Sequence, residues 1–319
     1  MRVLVTGVAG FIGSHLAERL VSRGDDVVGF DNFDPFYARE KKELNIAPLR
    51  ASITLVEGDL LDRALVEGTI SQGRFDAVAH LAALAGVRPS IAEPARYQHV
   101  NVVGTANLAD AIVAHGVPRL VFASSSSVYG DNQEVPYSES HRVDLPASPY
   151  AVSKRACELL LRSYHVVHGL SSCCLRYFTV YGPRQRPEMA IHKFCQLMRS
   201  GSAVPMFGDG TTSRDYTFID DIVDGTLGAL DHAPAGHTIY TLGGTSPVRL
   251  RDLIAEIGEA LGVEPRIDRQ PLQAGDVMHT WADVSAARRD LGYDPKVSLR
   301  EGLRRFVTWM DQSSERERA

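Results

Sequence analysis

Cysteine is scarce in this chain and poorly spaced for chemistry. Only Cys157, Cys173, Cys174 and Cys195 occur, none in a C-x-x-C pair, and two are adjacent inside a strand-like run. Buried thiols in a reducing compartment are expected, rather than a disulfide framework or a metal site. No apolar run approaches the ~18 residues that a membrane-spanning helix needs. Positive charge is not in excess either: 34 Lys and Arg against 39 Asp and Glu give a net charge of −5. That balance argues against a surface that binds nucleic acid non-specifically, and an anionic small molecule would have to be met by a local cluster of arginines. Residues 1–6 already read as a strand, with no basic leader, apolar signal core or cleavage site before it, so a cytoplasmic location is expected. Internal repeats and low-complexity tracts are missing as well.

What the chain does have is alternation. Its 319 residues allow one large domain or two of ordinary size. Arg2 to Thr6 is a short apolar run, followed by Gly7-Val-Ala-Gly10-Phe-Ile-Gly13 and a helically periodic segment that Gly24 stops. Val27 to Phe30 is a second strand and ends at Asp31. Strand, glycine turn, helix, strand and acid form the pattern that binds a dinucleotide. The glycines admit a pyrophosphate to the backbone, and the helix start supplies amide donors. A carboxylate at Asp31 accepts hydrogen bonds from a ribose diol and repels a 2′-phosphate, which favours NAD over NADP. The spacing is G-x-x-G-x-x-G rather than G-x-G-x-x-G, and the flanking strands carry the reading.

Further strands are expected at Ile53 to Glu57, Ala77 to Leu81, Arg119 to Ala123 and Ser171 to Tyr177, with helices between them. Asn32 to Leu49 reads as an irregular surface connection. Asp59 is placed either to accept from an adenine amino group or to cap the helix near Arg63. Ala82 and Ala83, small residues at a strand end, leave room for a cofactor. The class implied is α/β, a Rossmann-like doubly wound parallel sheet with a smaller, mostly helical C-terminal part. The last stretch, Glu315-Arg-Glu-Arg318, is expected to fray.

Two stretches must meet in space. Ser124-Ser-Ser-Ser127-Val-Tyr-Gly130 ends the fifth strand, and Tyr150-Ala-Val-Ser-Lys154 opens a helix behind Pro149. On a helix, Tyr150 and Lys154 share one face, one turn apart. An ammonium there favours phenolate, so Tyr150 is expected to accept a proton near neutral pH, well below its free pKa of roughly 10. A serine hydroxyl at the strand end would hydrogen-bond the same substrate oxygen.

These stretches, together with Thr6-Gly-Val-Ala-Gly-Phe-Ile-Gly13, Asp31-Asn32, Gly58-Asp59-Leu60, His80-Leu81-Ala82-Ala83, Asn101-Val-Val-Gly-Thr105, Arg176-Tyr177-Phe178 and Arg214-Asp-Tyr216, resemble the extended short-chain dehydrogenase/reductases that act on nucleotide sugars. The resemblance runs to about Asp294. It implies NAD-binding by residues 1–177 plus about 216–245, and sugar-nucleotide binding by about 178–215 plus 246–319. It also implies cofactor contacts from Gly7, Gly10, Phe11, Ile12, Gly13, Asp31, Asn32, Asp59, Leu60, Leu81, Ala82, Ala83, Asn101, Tyr150, Lys154 and Tyr177. Tyr150 would be the base on the sugar 4-hydroxyl. Lys154 would lower its pKa, and Ser125 aligns with the catalytic Ser/Thr, although register within the serine run stays open.

Within that family the run Arg176-Tyr-Phe-Thr-Val-Tyr-Gly-Pro-Arg-Gln-Arg-Pro-Glu-Met-Ala190 looks most like the UDP-glucuronate 4-epimerases. UDP-galactose 4-epimerases usually carry Asn where Thr179 stands, and Arg where Gln273 stands, two residues before Gly275. Glu188 stands where the resemblance leads one to expect Asp. Thr179, Arg186 and a hydroxyl among Ser125, Ser126 and Ser127 are the expected hold on a uronate carboxylate, since Arg fixes its plane bidentately. Arg88, Arg184 and Arg214 are candidates for the UDP pyrophosphate; Met189, Phe207 and Asp276 are further implied substrate contacts. A homodimer through Asn101 to His115 and Tyr150 to His168 is implied too. Three alternatives share the scaffold: UDP-galactose 4-epimerase, UDP-glucuronate decarboxylase and 4,6-dehydratase. The last two usually place a carboxylate where this chain has Ser127. A non-catalytic dinucleotide sensor is the reading from another class; such proteins commonly lack the Tyr or Lys present here.

Overall fold

The computed structural model describes residues 1–272 and 277–318. The expectations placed on Gln273, Gly275 and Asp276 therefore lie outside the described residues. The strands are β1 (Arg2–Thr6), β2 (Asp26–Asp31), β3 (Ile53–Glu57), β4 (Ala77–His80), β5 (Leu120–Ser125), β6 (Ser172–Tyr177), β7 (Thr179–Tyr181), β8 (Val204–Phe207), β9 (Ser213–Phe218), β10 (His237–Leu242), β11 (Pro247–Arg249) and β12 (Ile267–Gln270). Seven of them form one sheet in the order β10-β6-β5-β4-β1-β2-β3, parallel throughout. The chain steps outward from β1 to β3, then returns to lay β4 against the other side of β1. That reversal leaves a crevice at the carboxyl ends of β1 and β4.

Both faces of this sheet are covered, so its strands read as continuous apolar runs rather than alternating ones. In β6, Cys173 and Leu175 join a core with Val3, Val5, Leu16, Leu20 and Ile222. Cys174 joins the opposite core with Leu4, Val78, Leu108, Ile112 and Leu161. All four cysteines are free and buried, as expected. The first core continues into the C-terminal part, where β11-β9-β7 and β12-β8 form two small sheets. The boundary expected at 215/216 falls inside β9.

The segment Asn32 to Leu49 is not irregular. It contains a helix, Arg39–Ile46, and a short 3-10 turn, Ala47–Leu49. Its polar sequence hides one buried face, made by Lys42, Asn45 and Ile46 at the spacing of a single helix side. Arg39 pairs with Glu43 on the outer side at 3.2 Å. The helix expected from Asn101 to His115 begins inside a π-helical stretch, His99–Val103, and becomes α-helical only over Gly104–Ala114. The last helix, Leu299–Arg318, continues through the stretch expected to fray. Among the described residues no helix is long and apolar enough to cross a membrane.

Candidate active site

A cavity of about 520 Å³ runs along the carboxyl ends of the central strands. One end is built from backbone. Gly7 turns the chain out of β1 at φ 71°, a conformation that disfavours any side chain. A Cβ on Gly13 would stand 2.1 Å from the Gly7 carbonyl oxygen, so only glycine lets the helix Phe11–Ser22 pack this closely. That helix starts at Gly10 with no side-chain cap and no acid in its first turn. Phe11, Ile12 and Gly13 line the cavity there, and first-turn amides without intrahelical partners suit an anion.

Asp31 closes the same end. Its Oδ2 accepts from Ala9 N at 3.0 Å and its Oδ1 from Phe33 N at 2.8 Å. Burial pushes its carboxyl up, opposed by the Lys42 charge and those two backbone donors. Lys42 donates to the Asp34 carbonyl at 2.8 Å and lines the cavity beside Tyr37. Asn32 donates to Asp59 Oδ2 at 2.9 Å, while Asp59 Oδ1 accepts from Leu61 N at 2.8 Å. Asp59 is not the cap of the helix Arg63–Gly73: Asp62 is, accepting from Leu65 N at 3.0 Å, because only the residue next to the first turn reaches its amides. An uncapped helix start and a carboxylate at the end of β2 fit the pyrophosphate and ribose of a dinucleotide.

Leu60, Leu81, Ala82 and Ala83 line the middle of the cavity. Beneath them Thr6 Oγ1 meets His80 Nδ1 at 2.7 Å, and His80 Nε2 meets Thr105 Oγ1 at 3.0 Å. Burial, and next the Lys154 charge, lower the His80 pKa to about 3, so the ring is neutral. Asn101 stands behind this wall rather than on it. Its side chain clamps Leu84 N and O at 2.8 and 3.0 Å and donates to Ser153 at 2.9 Å.

The other end carries the reactive groups. Ser148 caps the helix Pro149–His168 through Ala151 N at 3.1 Å, with Pro149 in its first turn. Lys154 Nζ donates to the Ala123 carbonyl at 2.8 Å and lies 5.9 Å from the Tyr150 ring centre. Tyr97 meets the Tyr150 ring edge-on at 6.3 Å. Of the four serines, Ser124 turns away to Glu158 at 2.6 Å. The Ser125 hydroxyl stands near enough to the Tyr150 hydroxyl to favour its ionised form, and it accepts from Ser127 Oγ at 2.9 Å. Ser126 and Ser127 also line the cavity.

The expected low pKa of Tyr150 is corrected here. Burial pushes its hydroxyl up, and the nearby Ser125 hydroxyl and the Arg186 charge only partly oppose that. Burial also pushes Lys154 down to about 8, opposed by Cys157, Cys174 and Glu158. In the protein alone the ammonium therefore loses its proton before the phenol does. Desolvation, invisible in a helical spacing, outweighs the attraction.

Arg88, Arg186, Arg214, Thr179, Met189 and Tyr177 all line the cavity. Arg186 lies over the Phe36 ring at 5.4 Å and pairs through Nε with Glu188 at 3.2 Å. Phe207 is not on the wall; it lies under the Arg88 guanidinium at 5.4 Å. Arg184 faces away and pairs with Glu18 at 2.8 Å. Lys42, Tyr37 and Glu158 were not singled out in the sequence, and His80 and Arg176 entered only as members of motifs that carry the resemblance, with no role assigned. A charge such as Arg176 inside the apolar run Cys173 to Tyr177 was the available signal for its pair with Glu158.

Comparison with known proteins agrees with this geometry. The family described as GDP-mannose 4,6 dehydratase matches residues 4–306. UDP-glucuronate 4-epimerase 3 of Arabidopsis thaliana is 43% identical over 96% of this chain and 76% of its own length. The UDP-glucuronate 4-epimerase of Thermodesulfobacterium geofontis is 39% identical over 98% of this chain and 97% of its own. A crystal structure of UDP-glucuronic acid 4-epimerase from Bacillus cereus, in complex with UDP-glucuronic acid and NAD, superposes with a TM-score of 0.93 at 35% identity, covering 98% of this chain and all of that one.

Proposed function

Because the chain belongs to the GDP-mannose 4,6 dehydratase family of short-chain dehydrogenase/reductases, we propose that it is an isomerase, a UDP-glucuronate 4-epimerase with resident NAD, making UDP-galacturonate. The observation that carries the reading is that one cavity joins a dinucleotide end to Tyr150, Lys154 and Ser125, with Arg186 and Thr179 beside them. Asp31 and the first-turn amides of Phe11–Ser22 hold the cofactor. When bound, NAD takes the C4 hydride and returns it, and its oxidised ring adds positive charge near the phenol. Tyr150 takes the O4 proton and later gives it back. Ser125 donates to the same oxygen, and Lys154 and Arg186 offset the phenolate charge. The 4-keto sugar turns between the two half-reactions, so no second redox substrate is consumed.

That ketone is β to the C6 carboxylate, an arrangement prone to lose carbon dioxide. Arg186, Thr179 and a hydroxyl of the serine run hold the carboxylate so that its bond to C5 stays poorly aligned with the ketone. Arg88 and Arg214 take the UDP pyrophosphate. Decarboxylases and dehydratases of this scaffold usually place a carboxylate where this chain has Ser127, whose hydroxyl donates to Ser125 at 2.9 Å. Residues 1–177 with 216–245 form the cofactor-binding part and the remainder the sugar-binding part. Val152, Leu159 and Val166 make an exposed apolar stripe on the helix Pro149–His168, and Val103 is exposed on the neighbouring helical segment. Both support a homodimer, and a cytoplasmic enzyme fits the buried free thiols.

The test is pure protein with UDP-glucuronate and no added NAD, followed by proton NMR. UDP-galacturonate supports the reading. UDP-xylose, or conversion of UDP-glucose alone, overturns it.

A further inference from the structure

The loop that carries Arg186 is fastened to the helix that begins at the glycine turn. His15 Nε2 meets the Pro183 carbonyl at 2.9 Å, and Arg184 Nη2 donates to Glu18 Oε2 at 2.8 Å. His15 and Glu18 are three apart, so one face of the helix Phe11–Ser22 makes both contacts. The acceptor at Pro183 is a carbonyl, so His15 donates through Nε2–H. Burial, and next the Arg184 charge, hold the His15 pKa down to about 4, and the ring stays a neutral donor at physiological pH.

The loop itself is held in a tense shape. Gly182 has φ 144° and Arg184 φ 65°, and a non-glycine residue in that left-handed region persists only where its surroundings over-determine it. Gln185 bonds inward from its backbone to Gly182 and from its side chain to Val180, both at 3.1 Å. His192 meets the Gln185 carbonyl at 2.8 Å. The chain emerges two residues after Arg184 with Arg186 on the cavity wall, over Phe36. The chemistry proposed above uses none of His15, Glu18 and Arg184.

We propose that His15 and Glu18 are positioning residues that latch the Pro183–Arg184 turn to the dinucleotide helix, fix Arg186 against the uronate carboxylate, and so decide whether the 4-keto intermediate keeps its C6 carbon. The proposal rests on the 4-epimerase reading above. When the hold slips, the C5–C6 bond aligns with the ketone and breaks. Its electron pair passes to C5 and the C4 oxygen as an enolate, C6 leaves as carbon dioxide, and a solvent proton closes C5. The helix start that holds the cofactor and the arginine that holds the substrate then belong to one rigid connection.

The experiment uses NAD-loaded full-length protein and UDP-glucuronate labelled with carbon-13 at C6. The ratio of labelled bicarbonate to labelled UDP-galacturonate is read by NMR, alongside KM and bound NAD. His15→Leu should raise that ratio by about three- to tenfold, the worth of one hydrogen bond. His15→Gln, which keeps a donor, should return it to within about twofold of wild type. Glu18→Gln, at a half-exposed position that does not endanger folding, should raise it about two- to fivefold. KM should rise with the ratio while bound NAD is retained. Wild-type ratio and KM in folded, NAD-loaded Glu18→Gln and His15→Leu overturn the latch. Failure of the wild type to make UDP-galacturonate overturns instead the reading beneath it, and is seen before any variant is made.

Discussion

Lys154 and Glu158 stand one turn apart on the buried face of one helix, and the fold treats them in opposite ways. Lys154 makes one hydrogen bond, to the Ala123 carbonyl at 2.8 Å, and burial lowers its pKa to about 8. Glu158 receives two bonds from Arg176, both 2.9 Å, one from Ser124 at 2.6 Å and one from Arg155 at 3.1 Å. Burial pushes the Glu158 carboxyl up, but those donors and the Arg176 charge together hold it below its usual range. A charge satisfied four times keeps one protonation state. A charge satisfied once, beside a cavity, is free to answer a substrate. The fixed group also pins the helix to Ser124 and Arg176, the immediate neighbours of Ser125 and Tyr177. The structural pair thus sets the geometry in which the reactive pair works.

The sharpest break of this contrast is Tyr150→Phe. Turnover should fall by about a thousandfold or more while NAD stays bound, since the proton acceptor is lost. Substantial residual epimerisation, measured by NMR, would remove Tyr150 from that role. On the structural side, Glu158→Ala leaves Arg176 charged and unpaired, and should cost about 3–5 kcal/mol in a denaturant titration. The double variant Glu158→Ala/Arg176→Met should recover much of it; equal losses in single and double variants would mean that the pair is not the source.

A smaller effect should show in the pH profile. Because the Lys154 pKa lies near 8 rather than above 10, its ammonium is lost as pH rises through about 8. Activity that depends on this cation should therefore decline on the alkaline side of that value, and Lys154→Met should be slow with that limb missing. A profile flat to pH 10 would break the contrast. Smallest of all, Arg39→Ala removes a bidentate but exposed pair with Glu57, 2.7 Å at both contacts. Water already solvates both partners, so the unfolding midpoint should not move.

Much of this protein was legible from local pattern. Gly7, Gly10 and Gly13 followed by Asp31 announced a dinucleotide turn, because close backbone approach needs glycine wherever it occurs. Alternating apolar runs and periodic segments announced the doubly wound sheet. Tyr150 and Lys154 announced a shared helix face, because that spacing is a property of the helix itself. The helix Arg39–Ile46 escaped because its buried side is polar, with Lys42 turned toward Asp34 and Asn45 toward the Ala9 carbonyl at 3.0 Å. Hydrophobic periodicity has no sign for such a face.

By itself, then, the order of residues determined the sheet, the cofactor end and the residue types of the chemistry, all of which depend on neighbours in the chain. Tertiary packing fixed the register that the resemblance had left open, with Ser125 rather than Ser124 toward Tyr150, and it alone decided that Arg184 turns to Glu18 and that Lys154 loses its proton before Tyr150. Those outcomes depend on direction and on exclusion of water. Both are set by segments far apart in sequence, so they exist only once the chain has closed around the site.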